Sequence, residues 1–354
     1  MAVTRLETAG GRRRVSDRAW YKALISFVTL LLVICLAFFG ALTVISYGPS
    51  PAARDLFVVS VMETSAAKFL AHLYFSSEEV ENIIAGNEVA ELEETSDSSL
   101  IQVPVERTDK SAIVVEEVRG NTFKGKMMIV MDPGRLMVGI AHDAFVRGVR
   151  GKTVAEIIER HGGSGGVNAG GFVDEGGKGD GSQPLGIVVS EGKLRWGSLG
   201  ATYDIIGFDQ EDKLVIGKMT GKEAMDRGVR DAVSFGPMLV VNGEPLEVKG
   251  FGSGLNPRTA IGQRADGAVL LLVLDGRQPN SLGASMSDVI DLMVRYEAVN
   301  AANLDGGGST VMYQEGELIN VCCSLYGPRD IPTAIVVRGP ADGAPSGGES
   351  GNDG

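Results

Sequence analysis

The chain is organised around one stretch, Asn303-Leu304-Asp305-Gly306-Gly307-Gly308-Ser309-Thr310. Its apolar lead-in predicts a buried strand that ends at Leu304 and delivers the carboxylate of Asp305 to a turn of three glycines. Glycine runs suit positions where the backbone takes positive φ or where a ligand comes close to the main chain. Successive N–H groups in such a turn can form a nest that binds an anion. We therefore predict a functional site at this stretch, and the alternative is a glycine-rich corner of a hairpin.

The composition limits the function classes that the 354 residues can serve. The formal net charge is -12 and nothing resembles a basic stripe, so we predict that no nucleic acid is a partner. The histidines, His72, His142 and His161, are far apart in sequence and form no ligand pattern, which argues against a histidine zinc site.

The N-terminal region predicts a single-pass protein of the cell membrane. Arginine and lysine dominate residues 1–22, whereas residues 23–53 carry no charge. Residues 23–46 are almost wholly apolar and exceed the roughly 20 residues that cross a bilayer. Basic residues before such a span predict a cytoplasmic N-terminus and an extracellular main domain. A cleaved signal peptide is the competing interpretation, which the length of the apolar run disfavours.

The rest of the chain divides by composition. We predict a cytoplasmic basic tail at 1–22, a transmembrane anchor at 23–46, an extracellular helical stalk with an acidic linker at 47–100, a main domain at 101–338 and a disordered tail at 339–354. The linker is a solvated run of like charges, and the tail is too polar and glycine-rich to bury a core.

Short apolar runs recur through the main domain and predict strands. Four turns of hairpin type join them, namely Glu191-Gly192, Asn242-Gly243, Asp266-Gly267 and Glu315-Gly316. Capping signals and apolar periodicity place the helices after Ser76, Thr153, Thr220 and Ser285. The predicted fold class is α+β, with mixed, largely antiparallel sheets and a few interspersed helices, preceded by one N-terminal transmembrane helix.

Polar side chains that follow predicted strands are the candidates for chemistry. Asp275 and Asp305 are the candidates for acid/base or nucleophilic work. Arg258 and Arg277 are the candidates for phosphate binding, because a guanidinium binds phosphate bidentately. For each residue the alternative is a structural aspartate–arginine pair at a strand end.

The acidic loop from Asp174 to Asp180 is the candidate metal site. Carboxylate and carbonyl oxygens suit a hard cation, so Ca²⁺ is the candidate cofactor. However, the loop lacks the alternating acidic pattern of a calcium loop, and a solvated lid is the favoured interpretation.

Several motifs occur in a characteristic order along the chain. They are Asn168-Ala169-Gly170-Gly171-Phe172, Gly236-Pro237, Asn256-Pro257-Arg258-Thr259-Ala260-Ile261-Gly262, Asp275-Gly276-Arg277 and the opening stretch. In this order the sequence resembles the phosphodiester glycosidase family over about residues 118–337. That family includes the lysosomal uncovering enzyme, N-acetylglucosamine-1-phosphodiester alpha-N-acetylglucosaminidase, and many bacterial envelope proteins. The anchor and stalk resemble those of bacterial, membrane-anchored members.

The resemblance implies hydrolysis of a sugar-1-phosphodiester, which releases the sugar and leaves a phosphomonoester. It implies that the substrate is a phosphorylated envelope glycan or exopolysaccharide. The site residues that it implies are Asn168, Arg258, Asp275, Arg277, Asp305 and Ser309. We expect Gly306–Gly308 to shape an anion seat beside the catalytic carboxylates Asp305 and Asp275.

Two other hypotheses fit the same residues. The first is a non-catalytic envelope protein that binds an anionic glycopolymer through the same arginine and glycine surfaces. The second is a scaffold whose stalk helices recruit a partner in glycan assembly. Release of reducing sugar from a sugar phosphodiester distinguishes the hydrolase from both.

Overall fold

The computed structural model describes residues 11–64, 67–91, 95–104, 112–174, 177–324 and 326–339, with side chains from residue 18 onward. The chain forms two compact units, Met1–Phe57 and Val58–Gly354. Nearly all of the predicted disordered tail, part of the predicted acidic linker and the start of the basic tail lie outside the described residues.

The first unit is dominated by one long helix, α1 (Gly11–Tyr47). Within it, Arg18–Tyr47 is long and apolar enough to cross a membrane. Large apolar side chains lie exposed along this part of the helix, which is costly in water. The helix therefore fits a single-pass membrane anchor or a signal sequence.

Shorter helices and strands form the remaining described chain. The helices are α2 (Pro51–Met62), α3 (Phe69–His72), α4 (Ser77–Ala85), α5 (Val154–Arg160), α6 (Gly221–Asp226) and α7 (Met286–Arg295). The strands are β1 (Ile113–Arg119), β2 (Lys124–Val130), β3 (Leu136–Ile140), β4 (Gly163–Asn168), β5 (Val188–Ser190), β6 (Lys193–Trp196), β7 (Thr202–Asp209), β8 (Leu214–Thr220), β9 (Val229–Ser234), β10 (Met238–Val241), β11 (Glu244–Pro245), β12 (Arg258–Arg264), β13 (Val269–Leu274), β14 (Ala298–Leu304), β15 (Met312–Gln314), β16 (Glu317–Leu318) and β17 (Thr333–Arg338).

The strands form three sheets in the second unit. The first sheet has the order β1-β2-β13-β12-β14-β10-β11, the second β16-β15-β4-β17-β3 and the third β6-β5-β9-β7-β8. Among the described strands every pairing within these sheets is antiparallel. The predicted α+β class with largely antiparallel sheets is thus confirmed.

One apolar cluster contains side chains from all three sheets, among them Leu271 of the first, Ile335 of the second and Phe208 of the third. Helix α7 covers the opposite face of the first sheet, where Val289 and Met293 join a second cluster. The first sheet is therefore buried on both faces, and this accounts for the unbroken apolar run of β13.

The predicted helix starts are confirmed. Ser76, Thr153 and Thr220 each cap the next helix in a reciprocal capping box with the glutamate three residues later, and Ser285 does the same with Asp288. Each box satisfies backbone N–H groups that the first helical turn leaves without partners.

The hairpin turns are confirmed as well. At Glu191-Gly192, Asn242-Gly243 and Glu315-Gly316 both central residues have positive φ, as a tight turn between antiparallel strands requires. Asp266-Gly267 lies in the connection from β12 to β13, with only the glycine at positive φ.

Strand β4 has a sequence that resembles a loop, because it is rich in glycine and poor in β-branched residues. Its neighbours in the sheet explain the glycines. A Cβ on Gly165 would lie 2.8 Å from Tyr313 O, and one on Gly166 would lie 2.2 Å from Ile335 O. The two flanking backbones approach β4 too closely for side chains at these positions.

The register of the first sheet brings the predicted motifs together. The start of β12 pairs with the ends of both neighbours, since Arg258 lies opposite Leu274 and Thr259 lies opposite Leu304. The polar residues that follow β13 and β14 are therefore adjacent to Arg258 at one edge of the sheet.

Candidate active site

A cleft with a cavity of about 1040 Å³ opens at this edge of the first sheet. Arg258, Arg277, Asp305 and Gly306–Gly308 all line it, although they come from three separate stretches of the sequence. The sequence-predicted phosphate ligands and one of the two predicted catalytic carboxylates thus share one cleft.

The glycine turn forms the floor of this site. Residues Gly307–Ser309 make one turn of 3-10 helix, and Gly307 has a φ of 58°. A Cβ on Gly307 would lie 3.3 Å from Arg277 Nη2, and a Cβ on Gly308 would lie 3.3 Å from Arg329 Cδ. Two arginines therefore flank the turn, and we define the anion seat as Arg277, Gly306–Gly308 and Arg329.

Asp305 follows β14 and leads into the turn. Its N–H donates to Ala169 O at 3.0 Å, and its C=O accepts from Asn168 Nδ2, so its main chain is fixed on both sides. Burial raises the pKa of Asp305 to about 6, and the Ser309 hydroxyl and the Arg329 guanidinium oppose part of the rise. A carboxyl group with a pKa near neutrality, held in a cleft, is typical of a catalytic residue.

Three of the other acidic side chains of the cleft differ from Asp305 because they form ion pairs, whereas Asp180 accepts from Ser182 N. Glu63 pairs with Arg258, Asp174 with Arg329 and Asp330 with Arg150. Within the described chain no ion pair involves Asp305. Its negative charge is therefore available to a substrate, whereas the paired carboxylates are neutralised.

Arg277 is held in place before any ligand binds. Its Nε and Nη2 donate to Asn256 Oδ1 at 3.2 and 2.9 Å, and its backbone N–H donates to Leu282 O at 3.0 Å. The φ of Arg277 is 57°, a conformation that costs free energy for a residue with a side chain. Strained backbone positions of this kind cluster at functional sites.

Residues 161–338 match the model of the phosphodiester glycosidase family, which is half of the chain. The chain belongs to this family.

Curated relatives agree with the match but are longer proteins. The SPbeta prophage-derived uncharacterized protein YomE of Bacillus subtilis is 30% identical over 175 residues, which are 44% of this chain and 24% of that protein. The N-acetylglucosamine-1-phosphodiester alpha-N-acetylglucosaminidase of mouse is 26% identical over 180 residues, which are 44% of this chain and 35% of that protein. The chain thus spans about a quarter to a third of the length of these relatives.

A solved structure shares the fold. It is the catalytic domain of the zebrafish N-acetylglucosamine-1-phosphodiester alpha-N-acetylglucosaminidase, auto-inhibited by its pro-peptide. The TM-score is 0.54 with 22% identity, and the match covers 69% of this chain and 87% of that domain. At this identity the likeness establishes the fold of the phosphodiester glycosidase domain.

Arg258 differs from the predicted phosphate ligand in one respect, because its charge is already paired. Its Nη2 donates to Glu63 Oε2 at 2.7 Å, to Ser253 Oγ at 2.8 Å and to Gly254 O at 2.6 Å, and its Nε donates to Ala284 O at 3.0 Å. The side chain is also buried. In this phosphodiester glycosidase domain Arg258 lies at the cleft wall with most of its donors engaged by the protein.

Asp275 is not brought to the cleft. Its Oδ1 accepts from Asn320 Nδ2 and from Val321 N, both at 3.0 Å, and its side chain is buried. Burial raises the pKa of Asp275, and these two donors oppose the rise. The contacts assign Asp275 to holding the chain that follows β16, so our proposal below places catalysis on Asp305.

Asn168 and Ser309 also lie behind the cleft surface. Besides its bond to Asp305, Asn168 accepts through Oδ1 from Thr259 Oγ1 at 2.9 Å and from Val311 N at 3.2 Å. It therefore joins the second sheet to the glycine turn. Ser309 Oγ is buried beside the Asp305 carboxylate, whose pKa it lowers.

The cleft contains residues that the motif analysis did not select as site residues. The most important are Arg329, Glu63 and Asn303. Asn303 Nδ2 donates to Gly236 O at 2.9 Å, whereas its buried Oδ1 has no partner among the described residues. For Asn303 the signal was its position near the end of β14, two residues before Asp305, because alternate residues along an extended chain point to the same side. Glu63 and Arg329 carry no local signal of this kind.

In the acidic loop, Asp174 and Asp180 are engaged by the protein rather than free for the predicted Ca²⁺, and Glu175 lies outside the described residues. Asp174 pairs with Arg329 at 2.8 Å and accepts from Gly179 N at 2.7 Å, and Asp180 accepts from Ser182 N at 3.0 Å. The described residues contain no group of three metal-ligating side chains. Asp174 and Asp180 therefore fix loop geometry and the position of Arg329, and no step of the proposed reaction uses calcium.

Proposed function

We propose that this protein is a hydrolase of sugar-1-phosphodiesters. The observation that carries the proposal is that one half-buried carboxylate, Asp305, lies beside a glycine turn that two arginines flank. The family match and the named activities of the longer relatives support it. The substrate class that fits best is a phosphorylated glycan of the cell envelope or an exopolysaccharide, because the cleft is open and exceeds the needs of a monosaccharide.

The proposed reaction consumes one water molecule. The bond between C1 of the sugar and the phosphate oxygen breaks, the phosphomonoester leaves, and water supplies the hydroxyl group at C1. Arg277 and the N–H group of Gly308 stabilise the negative charge on the departing phosphate. Arg329, whose guanidinium also pairs with Asp174, adds positive charge beside the turn. The N–H groups of Gly306 and Gly307 are already bonded to Asp305 and to Pro257 O. Since such a leaving group needs little protonation, Asp305 acts in its ionised form, stabilising the cationic sugar centre or activating water.

Asn303 completes the proposed sugar site. Its Nδ2 is held by Gly236 O, whereas its Oδ1 is buried and has no partner among the described residues, so we infer that this acceptor turns toward a bound substrate. A sugar hydroxyl or amide N–H satisfies this acceptor. Substrates that lack each hydroxyl in turn test this role, and equal rates with all of them would rule it out.

The proposal is tested by incubating the full chain with a panel of sugar-1-phosphodiesters and measuring the reducing sugar released. Turnover with at least one member supports a hydrolase. Binding of phosphorylated glycan without turnover would instead favour the non-catalytic glycopolymer-binding protein. Neither turnover nor binding would leave the scaffold as the better hypothesis.

The dependence on pH follows from the ionised form of Asp305. Because its pKa is about 6, kcat/KM is expected to be constant above that pH and to fall about tenfold per pH unit below it. The measurement is a profile of kcat/KM between pH 4 and pH 8. A profile that falls on the alkaline side of pH 6 would contradict the role and indicate a general acid.

Two neighbours of Asp305 should move this profile in opposite directions. Arg329→Ala removes a positive charge that lowers the pKa of Asp305, so the acidic limb should shift to higher pH. Asp174→Asn removes a negative charge that raises this pKa, so the limb should shift to lower pH. Shifts of the same sign in both variants would show that the limb belongs to another group.

The location of the domain is part of the proposal. Helix α1 is taken as a single-pass anchor of the cell membrane, with its basic N-terminal side in the cytoplasm and the domain outside. Protease added to intact cells is expected to degrade the second unit and to spare the N-terminal tail. Protection of the second unit in intact cells would contradict this orientation.

A further inference from the structure

The C-terminal end of helix α2 and the two residues that follow it help to build the wall of the cleft. Val58 and Val59 are buried within the second unit, and Ser60 Oγ accepts from Leu255 N at 2.8 Å. A Cβ on Gly254 would lie 2.3 Å from Ser60 Cα, so this close approach requires glycine. Residues 58–64 are therefore tightly packed against the cleft, although the sequence predicts a stalk there and the family match starts only at residue 161.

Glu63 is the charged residue of this segment that lines the cleft. Its Oε1 accepts from Gly254 N at 3.0 Å, and its Oε2 accepts from Asn256 Nδ2 at 2.9 Å and from Arg258 Nη2 at 2.7 Å. Both oxygens are thus engaged by three donors, two of them from the loop that precedes β12 and the third from Arg258, the first residue of that strand. About a third of the side chain, 33%, stays exposed.

Asn256 connects Glu63 to the anion seat. Its Nδ2 faces the carboxylate of Glu63, and its Oδ1 accepts from both Nε and Nη2 of Arg277. An amide can hold a carboxylate and a guanidinium at once only in this orientation. Thr64 Oγ1 also donates to this Oδ1, at 3.4 Å. If the negative charge were absent, the amide would lose the charged acceptor of its Nδ2, so the orientation that presents Oδ1 to Arg277 would be held less strongly.

The ion pair between Arg258 and Glu63 supports the same role for Glu63. Its other partners, Ser253 Oγ, Gly254 O and Ala284 O, are neutral. In the described chain Glu63 is the single carboxylate that forms an ion pair with this buried guanidinium. If Glu63 only blocked the cleft, replacing it would cost the folded protein little free energy. Replacing it instead leaves the buried Arg258 guanidinium without its counter-charge, which is costly.

We propose that Glu63 is a positioning residue of the site, which holds Asn256 and Arg258 so that Arg277 faces the glycine turn. The segment 58–64 is then a functional part of the cleft. The inference rests on the proposed function only where turnover is measured. The role of Glu63 in the anion seat can be tested by phosphate binding alone. It assigns a site role to a residue outside the family match.

The test uses the full chain in detergent and the variant Glu63→Gln, with inorganic phosphate as the probe in titration calorimetry. The Kd for phosphate is expected to rise about tenfold, while in an Arg277→Ala background the same change should have less than a twofold effect. The matched control is Glu88→Gln, because Glu88 pairs with Lys249 outside the cleft lining. This control should leave the Kd unchanged.

Asn256→Ala guards against misfolding of the first variant, since it cuts the link to Arg277 and keeps the Glu63–Arg258 ion pair. It is expected to raise the Kd by a similar factor. An unchanged or lower Kd in Glu63→Gln would overturn the inference, and a lower one would identify Glu63 as a blocking group. Equal effects with and without Arg277 would also overturn it.

Turnover of a sugar phosphodiester is measured on the same samples. Wild-type protein that binds phosphate but shows no turnover contradicts the proposed function and leaves the role of Glu63 supported by the Kd values. If the wild type shows turnover but Glu63→Gln leaves the Kd unchanged, the proposed function is supported and the role of Glu63 is contradicted. Wild-type protein that binds no phosphate overturns the anion seat and the inference together.

Discussion

Asp305→Asn is expected to reduce the turnover of sugar phosphodiesters by about 10³-fold and to stabilise the folded protein at the same time. The loss of turnover follows from the role of the ionised carboxylate, because an amide neither carries negative charge nor accepts a proton from water. The side chains have nearly the same shape, so the glycine turn and the main-chain bonds of Asp305 should persist.

The gain in stability follows from the raised pKa. The folded pKa of Asp305 is about 6 and the unperturbed value is 3.8, so the fold favours the protonated form. The contribution of this group to stability is therefore fully present below pH 3.8 and is lost as the pH rises through about 6. At pH 7 the asparagine variant avoids a cost of about 1–3 kcal/mol, and its thermal midpoint should rise by a few degrees.

Two measurements check this prediction, a turnover assay and thermal unfolding at pH 7 and pH 3.5. The difference in midpoint should be present at pH 7 and absent at pH 3.5. The matched control is Asp180→Asn, since Asp180 lines the same cleft and caps Ser182. Normal turnover in Asp305→Asn would refute the catalytic role. A lower thermal midpoint of this variant at pH 7 would refute the claim that the ionised Asp305 destabilises the fold.

Arg277→Ala is expected to lower kcat/KM by about 100-fold, the effect of losing charge-assisted hydrogen bonds worth about 2–3 kcal/mol. Its Nη2 lies beside Gly307, and Asn256 holds it there without a ligand. Alanine has the same backbone restriction at a φ of 57°, so the change removes the guanidinium without relaxing the turn.

Arg277→Lys should recover part of this loss, because lysine keeps the charge but lacks the planar fork that matches a phosphate. Arg119→Ala is the control, since Arg119 is exposed on β1 and pairs with Glu117. The measurement is kcat/KM together with the Kd for phosphate. A loss in kcat/KM with an unchanged Kd would move Arg277 out of the anion seat.

Local features of the fold could be predicted from the sequence because a few neighbouring residues determine them. A capping box needs only Thr153 and Glu156, and a tight hairpin turn needs only Asn242-Gly243. The apolar run of α1 and the apolar strand before Asp305 are equally local. Strand β4 escaped prediction because the reason for its glycines lies in the backbones of two neighbouring strands.

The motifs also placed Asp305, Arg277 and the glycine turn in one site, since each follows or precedes a strand of the same sheet. The motifs could not predict which arginines of the site form ion pairs with carboxylates of the protein. The motifs indicated Arg258 as a phosphate ligand. In the fold, Arg258 pairs with Glu63, which is 195 residues away in sequence. Arg329 takes a place beside Gly308 that no local pattern signals.

By itself the sequence determined the apolar N-terminal helix, the antiparallel α+β class, the family and the carboxylate at the end of β14. These depend on backbone geometry and periodicity over short stretches of chain. The tertiary structure alone decided that Asn320 binds Asp275 outside the cleft lining and that Glu63 and Thr64 form part of the cleft wall. The physical reason is that burial, ion pairing and pKa depend on which distant residues meet in space.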